Sequence, residues 1–324
     1  MSEYCFRAQL AQYNQFKGLM EGFQRHMWAY YTAVLLWKTQ SPWPSFRGFT
    51  YSWWLEPTGG FYGIRAALEG GQPLHVQLAN WTRETSICII NRSPENFDDD
   101  ADGIVFSLTS QWWDLNGTLI KTKIHSIDGY KVLPYTVYTL HMEDFDFPTQ
   151  ATVGVSYLRL VLDSPTDPTV CLRGKYMGND YLSPYGCSFN DYYLSDPEKH
   201  QNFTGLGDRR LKSSDLLRLD VKCLKDNINH SELSVQITNP NKALALQARV
   251  RVDDMRTKYF YSSQFVSLLP FERRNLTVKE MVRDGSKHSF RRSKQILLLI
   301  DGINIQSEKC VCETNSDVAA ASVG

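Results

Sequence analysis

The chain has 324 residues, 42% of them hydrophobic and 22% charged, the composition of a globular protein with room for two or three domains. Lys and Arg together number 35, as do Asp and Glu, so the formal net charge is zero and no basic surface excess invites nucleic acid or an acidic membrane. No apolar run approaches the ~18 residues needed to cross a bilayer.

In chain order, residues 3 to 28 read as a helix, because Phe6, Leu10, Tyr13, Leu19, Met20, Phe23 and Met27 recur at the spacing of one buried face. Ser2 is placed to cap it and Glu3 lies in its first turn. The opening "MSEYCFRAQLAQYNQF" lacks the basic-then-apolar pattern of a signal peptide. The next run, "TAVLLWK" from Thr32 to Lys38, is short, apolar and partly β-branched, which predicts a strand buried on both faces. It leaves through "TQSPWPSFRG", an exit unusually rich in aromatic and polar groups for a strand that only fills a core. Gly48 to Glu69, "GFTYSWWLEPTGGFYGIRAALE", predicts a helix interrupted between Pro57 and Gly60. Residues 1–70 thus carry helix, buried strand and helix, too little to close a sheet.

From Pro73 the texture changes to short alternating runs separated by turn residues: "PLHVQLAN", "TSICIINR", "GIVFSLTSQWWDL", the tight turn Asn116-Gly117, and "VGVSYLRLVLD". These predict a β-sandwich over residues 71–195. After a loop-rich stretch from about 164 to 208, the runs "LLRLDVKCL", "SELSVQITN", "ALALQARVRV", "YFYSSQFVSLL", "NLTV" and "QILLLIDGIN" predict a second sandwich, over 196–306. Residues 307–324 are polar and small and read as a disordered tail.

Several conspicuous features take plain readings. The seven cysteines, at 5, 88, 171, 187, 223, 310 and 312, lack the paired spacing of a zinc site, and Cys310-Val311-Cys312 reads as incidental. Trp53-Trp54 and Trp112-Trp113 read as core or inter-domain packing, and Glu95 to Asp102 as a solvated loop without calcium-loop spacing. The seven histidines show no pair at metal-ligand spacing. Six Asn-x-Ser/Thr triplets, at Asn80, Asn91, Asn116, Asn202, Asn229 and Asn275, favour a vacuolar, lysosomal or secreted setting, although polar strand ends also produce such triplets and Asn91 is followed by Arg-Ser-Pro, a poor acceptor context.

The run "AQLAQYNQFKGLMEGFQRHMWAYYTAVLLWKTQSPWPSFRG", followed by "GGFYGIRAALEGGQPLHVQL", resembles the end of the catalytic barrel of glycoside hydrolase family 2 and its junction with the next sandwich. Within that family it is most similar to the branch of plant endo-β-mannosidases and exo-β-glucosaminidases, above all in W-K-T-Q-x-P-W-x-x-x-R-G. "DYYLS" and "SSQFVSLLPFERRNLTV" resemble the later sandwiches of the same branch. The resemblance implies a mixed fold: the last helix, strand and helix of a (β/α)8 barrel over 1–70, then two immunoglobulin-like sandwiches.

It also implies a retaining β-glycosidase acting on mannose-β-1,4-N-acetylglucosamine bonds of N-glycan cores, using two carboxyl groups about 5 to 5.5 Å apart. The family carries these at the ends of its fourth and seventh barrel strands, which in this register precede Met1. No catalytic residue is therefore assigned, since Glu3, Glu21 and Glu56 fall on helices rather than at strand ends. What the resemblance assigns is a glycan subsite at the eighth-strand exit: Trp37 to stack on the sugar, Gln40 to hydrogen-bond a hydroxyl, Trp43 as a wall. Lys38 points to the face opposite Trp37 in a strand and stays peripheral. No metal or cofactor is expected; the implied partners are a glycan and the N-terminal domains of the family, with no nucleic acid or membrane. An exo-β-glucosaminidase piece and a non-catalytic carbohydrate-binding or adhesion protein of two sandwiches are the alternatives.

Overall fold

The computed structural model describes residues 2–44, 48–68, 73–79, 86–95, 97–98, 106–127, 131–141, 156–164, 187–194, 216–229, 232–254, 257–281 and 295–313. Two helices come first, α1 (Ser2–Arg25) and α2 (Gly59–Leu68). They pack together through two glycines one turn apart. A Cβ on Gly59 would lie 1.9 Å from the carbonyl oxygen of Gln9, and a Cβ on Gly63 2.2 Å from that of Tyr13, so only glycine permits this approach. The ends of α2, whose backbone groups have no intrahelical partner, are satisfied from α1: the Gly59 amide donates to Gln9 Oε1, and Gln24 Nε2 donates to the Ala67 carbonyl at 2.9 Å.

Between the helices, the described residues of 26–58 form no repeating element. The expected strand Thr32–Lys38 does not form, and of the expected helix Gly48–Glu69 only the part after Pro57 does; Glu69 lies outside the described residues. A strand buried on both faces needs neighbours to take its N–H and C=O groups, and no described strand pairs with residues 32–38. Ahead of Pro57, hydroxyl groups compete with helical bonding. Thr50 Oγ1 donates to the Thr39 carbonyl at 2.7 Å, Ser52 Oγ accepts from the Glu56 amide at 3.2 Å, and Leu55 takes a left-handed φ of 63° to close the turn.

The chain divides into two units, and the helices contribute to both. The first joins Ala11–Trp37 to Gly63–Gly205. Its strands are β1 (Leu74–Leu78), β2 (Ser86–Asn91), β3 (Phe97–Asp98), β4 (Ser107–Asp114), β5 (Leu119–Ser126), β6 (Lys131–Val132), β7 (Thr136–His141), β8 (Ser156–Asp163) and β9 (Ser188–Leu194). They form antiparallel sheets ordered β1-β2-β7 and β5-β4-β8-β9, with a short β3-β6 ribbon. Leu74, Val76, Ile87 and Ile89 of the first sheet pack with Leu108, Trp112, Leu158 and Leu160 of the second, as alternation predicts. β1 is an edge strand, yet it is buried along its whole length. Its free amides are taken by β9 side chains: Val76 N donates to Ser188 Oγ at 2.9 Å and Leu78 N to the Tyr192 hydroxyl at 3.0 Å.

The other face of β1 is covered by α1. Gln77 Nε2 donates to the Glu21 carbonyl at 2.7 Å and Arg25 Nη1 to the Ala79 carbonyl at 2.7 Å. Glu21, 2% exposed, accepts at Oε1 from Asn190 Nδ2 (2.8 Å) and the Tyr192 hydroxyl (3.1 Å), and pairs with Lys17 Nζ at 3.4 Å. Lys17 in turn lies 4.1 Å above the Tyr192 ring and donates to the Asp191 carbonyl at 2.9 Å. Asp191 holds buried Arg159 across the β8–β9 ladder with two bonds, 2.7 and 3.0 Å.

The second unit joins Met1–Leu10 and Lys38–Tyr62 to Leu206–Gly324. Its strands are β10 (Asp220–Asn229), β11 (Glu232–Thr238), β12 (Ala245–Val252), β13 (Lys258–Tyr261), β14 (Val266–Leu268), β15 (Arg273–Met281), β16 (Gln295–Asp301) and β17 (Glu308–Glu313). The sheets run β10-β11-β15-β13 and β14-β12-β16-β17, around Leu233, Val235, Val250, Val278, Leu298 and Ile300. β17 corrects the expectation of a disordered tail from 307: it pairs with β16 from Gln295↔Glu313 to Ile300↔Glu308. The supposedly incidental C-x-C is the reason. Two-residue spacing puts Cys310 and Cys312 on the core face, and Cys312 is disulfide-bonded to Cys223 with their Cα atoms 5.7 Å apart. Residues 314–324, and most of the 164–208 connection, lie outside the described residues.

Three stability measurements follow from this packing. Glu21→Ala leaves Lys17 buried without its counter-charge and costs about 3–5 kcal/mol in denaturant titration; Cys312→Ser costs about 2–5 kcal/mol without reductant, and a reducing agent, which also opens the Cys187 disulfide, lowers the wild type by at least as much. His75, fully buried on β1, is held well below its ordinary value of 6.5 by burial first and by the Arg92 guanidinium second. Below 6.5 the unfolded chain binds a proton that the folded chain does not, so stability falls as pH drops under that value, by up to about 1.4 kcal/mol per pH unit. Thermal melts across that range are flatter for His75→Gln; an unchanged slope removes His75 as the source.

Candidate functional site

The three residues assigned to a glycan subsite lie on the stretch between α1 and α2. Trp37 closes the segment Ala11–Trp37 of the β1–β9 unit, whereas Gln40 and Trp43 belong to the segment Lys38–Tyr62 of the β10–β17 unit. Trp37 is 91% exposed and Leu35, two residues before it, 94% exposed. Period-two geometry puts these two apolar side chains on one side, with the half-buried Val34 and Leu36 on the other. Ahead of them the chain turns at Trp28, whose φ is 63°, and the ring of Phe23 meets Tyr31 edge-on with centroids 4.9 Å apart.

Gln40 and Trp43 sit on a loop that is well tied. Gln40 forms a parallel bridge with Tyr51, in which Tyr51 N donates to the Thr39 carbonyl at 2.8 Å and Ser41 N to the Tyr51 carbonyl at 3.3 Å. Tyr51 bridges Pro57 in turn, and Thr58 Oγ1 donates to the carbonyls of Phe49 (2.6 Å) and Thr50 (3.1 Å). The Ser41 hydroxyl donates to the Trp43 carbonyl, which fixes the backbone between Pro42 and Pro44. The Gln40 side chain is exposed and Trp43 is 53% exposed, so the loop presents an amide and an indole to solvent on a rigid backbone.

The same loop carries a feature that sequence reading assigned to packing. Trp53 and Trp54 are both about half exposed rather than in a core. They stand on a turn closed by Ser52 N to the Glu56 carbonyl (2.9 Å) and Leu55 N to the Ser52 carbonyl (3.0 Å). The turn is anchored on β13 by Lys258 Nζ to Glu56 Oε1 at 2.7 Å and by the T-shaped Phe61–Phe260 pair, 5.8 Å between centroids. Trp112, by contrast, is core as expected.

Neither described carboxylate side chain of the first 70 residues is arranged for hydrolysis. Glu21 is buried and saturated at Oε1, and Glu56 is an ion-pair partner on the surface. Among the described residues, no group of three His, Cys, Asp or Glu side chains is gathered to hold a metal ion. Trp37, Gln40 and Trp43 carry no acid, base or nucleophile of their own.

No family model matches the chain. It is 35% identical over 191 residues to a mannosylglycoprotein endo-β-mannosidase from Lilium longiflorum, a match covering 57% of this chain and 19% of that protein. In structure it is similar to the exo-chitosanase CsxA from Amycolatopsis orientalis, with a TM-score of 0.66 at 18% identity, over 95% of this chain and 34% of that one. It is also similar to a β-D-mannosidase from Dictyoglomus thermophilum, with a TM-score of 0.60 at 15% identity, over 94% and 30%. At such identities the structural likeness concerns fold alone. The chain spans about a fifth of the plant relative and about a third of the solved structures. By its sequence similarity and by the arrangement of two helices followed by antiparallel sheets, the chain is related to the glycoside hydrolases of family 2.

Proposed function

We propose that the chain is the C-terminal portion of a retaining β-glycosidase that cleaves β-mannosidic bonds, of the mannose-β-1,4-N-acetylglucosamine type in N-glycan cores. The observation that carries this reading is the 35% identity over 191 residues to the plant endo-β-mannosidase. In this reading residues 1–70 end a (β/α)8 barrel, 71–195 and 196–306 are its following sandwiches, and both catalytic glutamates come from sequence that precedes this register. Trp37 stacks on the sugar, Gln40 hydrogen-bonds it and Trp43 walls the subsite.

The chain alone is inactive in this reading and works with the family's N-terminal domains. The exposed apolar side chains support it: Tyr30, Leu35 and Trp37 in one unit, and Trp43, Trp53, Trp54 and Leu55 in the other, are more apolar surface than scattered surface residues explain. A strand at 32–38 gains its hydrogen-bond partners only when neighbouring barrel strands are supplied.

The test is hydrolysis of an aryl β-mannoside and of an N-glycan core by the chain alone and after co-expression with the N-terminal domains of the plant relative. No turnover alone and turnover together is the expected result; full turnover by the chain alone overturns the reading. In the active assembly, Trp37→Ala removes about 1.5–3 kcal/mol of aromatic burial, a roughly 10- to 150-fold loss in kcat/KM. Glycan affinity of the chain that is unaffected by Trp37→Ala and needs no co-expressed domain would instead favour a carbohydrate-binding protein of two sandwiches.

A further inference from the structure

We propose that Asn116 and Asn275 are acceptor sites for N-linked glycans and that Asn91, in a triplet of the same form, is not. The transfer joins Asn Nδ2 to the anomeric carbon of an oligosaccharide carried on a polyprenyl pyrophosphate. The carbon–oxygen bond to pyrophosphate breaks, Nδ2 gives up one proton, and the lipid pyrophosphate leaves. A folded site that retains such a glycan needs an amide at the surface, a hydroxyl two residues on, and space outside both.

Asn116 meets these requirements at the tip of the β4–β5 hairpin. Asn116 and Thr118 are both exposed. The turn is closed through Asp114 instead: its amide donates to the Thr118 carbonyl at 3.0 Å, its carboxylate accepts from the Thr118 amide at 2.7 Å, and its carbonyl accepts from the Gly117 amide at 3.2 Å. Gly117, at φ 84°, supplies the left-handed residue of the turn. The sequon side chains therefore have no part in holding the backbone.

Asn275 sits on β15, where burial alternates strictly: Asn275 is exposed, Leu276 enters the core, and Thr277 returns to the outer face. That outer face is polar where β15 pairs with β11 around Asn275. Gln236 of β11 donates to Asn275 Oδ1 at 3.1 Å, and Glu232 pairs with Lys279 at 2.9 Å. A glycan there stands over the solvated polar groups of β11 and β15.

Asn91 is the opposite case, fully buried at the end of β2. Its Nδ2 donates to the carbonyls of Glu95 (2.7 Å) and Leu133 (3.0 Å), and its Oδ1 accepts from the Ser93 amide (2.9 Å) and hydroxyl (2.8 Å). Ser93, the residue that completes the triplet, is spent on the same amide, so the triplet is a loop-fastening motif. Asn80 and Asn202 lie outside the described residues.

An independent feature points to the same compartment. Cys223 and Cys312 are joined, and Cys187 is also disulfide-bonded. Disulfides persist where the environment is oxidising, as it is along the secretory route on which this glycan transfer takes place.

The experiment directs the full chain through the secretory pathway of a eukaryotic host and maps its peptides after enzymatic glycan release in heavy-oxygen water, with a parallel non-reducing digest. Expected are mass-tagged Asp at 116 and 275, an unmodified Asn91 peptide, and a Cys223–Cys312 cross-linked peptide. Asn116→Gln and Thr118→Ala each remove one glycan, as do Asn275→Gln and Thr277→Ala, so loss of one variant to misfolding leaves its partner to report. Unmodified peptides at Asn116 or Asn275 in protein carrying the cross-link, a glycan on Asn91, or free thiols at Cys223 and Cys312 each overturn the proposal.

Discussion

The carboxylate of Glu21 is the interaction on which the β1–β9 unit depends. It lies on a helix, yet it is buried against β9, where Asn190 and Tyr192 donate to it and Lys17 neutralises it. A buried ion pair is a weak source of net stability, but it is demanding in geometry, because a shift of the helix by one residue leaves two charges in the interior without partners. Gln24 and Arg92 extend the same logic: Arg92 donates to Gln24 Oε1 and to the Leu68 carbonyl, both at 2.9 Å, and so ties β2 to the ends of both helices. The part of α1 from Ala11 to Arg25 therefore packs on the sandwich, which is why β1 is buried on both faces.

What that anchoring leaves outside is the stretch from Tyr30 to Leu55. Between Thr39 and Thr58 the described backbone is held by threonine and serine hydroxyls and by two bridges through Tyr51, while Trp37, Trp43, Trp53 and Trp54 face solvent.

Much of the fold was legible because it rests on periodicity. The alternation in "SELSVQIT" and "ALQARVRV" became β11 and β12 with the predicted faces inward, and the three- and four-residue spacing of Phe6 to Phe23 became α1. Where reading by pattern failed, long-range partners decided. "TAVLLWK" has strand composition but no neighbour to pair with among the described strands. The C-x-C near the C-terminus has no meaning until Cys223 is brought to it from 89 positions away. Gly59, read as part of the interruption between Pro57 and Gly60, is with Gly63 a contact point of α1 and α2, a role visible in sequence only as an i, i+4 glycine pair. Of the candidate site, residue identities were readable, whereas the exposure of Trp53 and Trp54 depended on a turn that no local pattern announces.

The β10–β17 unit gathers residues from far apart along the chain: Phe6, for instance, packs against Phe265 at 6.2 Å between ring centroids and lies under the Arg249 guanidinium at 5.0 Å. Protein synthesis runs from the amino end, so Phe6 emerges well before the ring that shelters it. At about 5–20 residues per second, the 259 positions separating the two take roughly 13–50 s to make. For that interval the apolar face of the first helical turns has no native cover. The rate of translation, and whatever shields the nascent helix while the later strands are still being added, thus becomes a determinant of how much correctly assembled protein a cell obtains from each message.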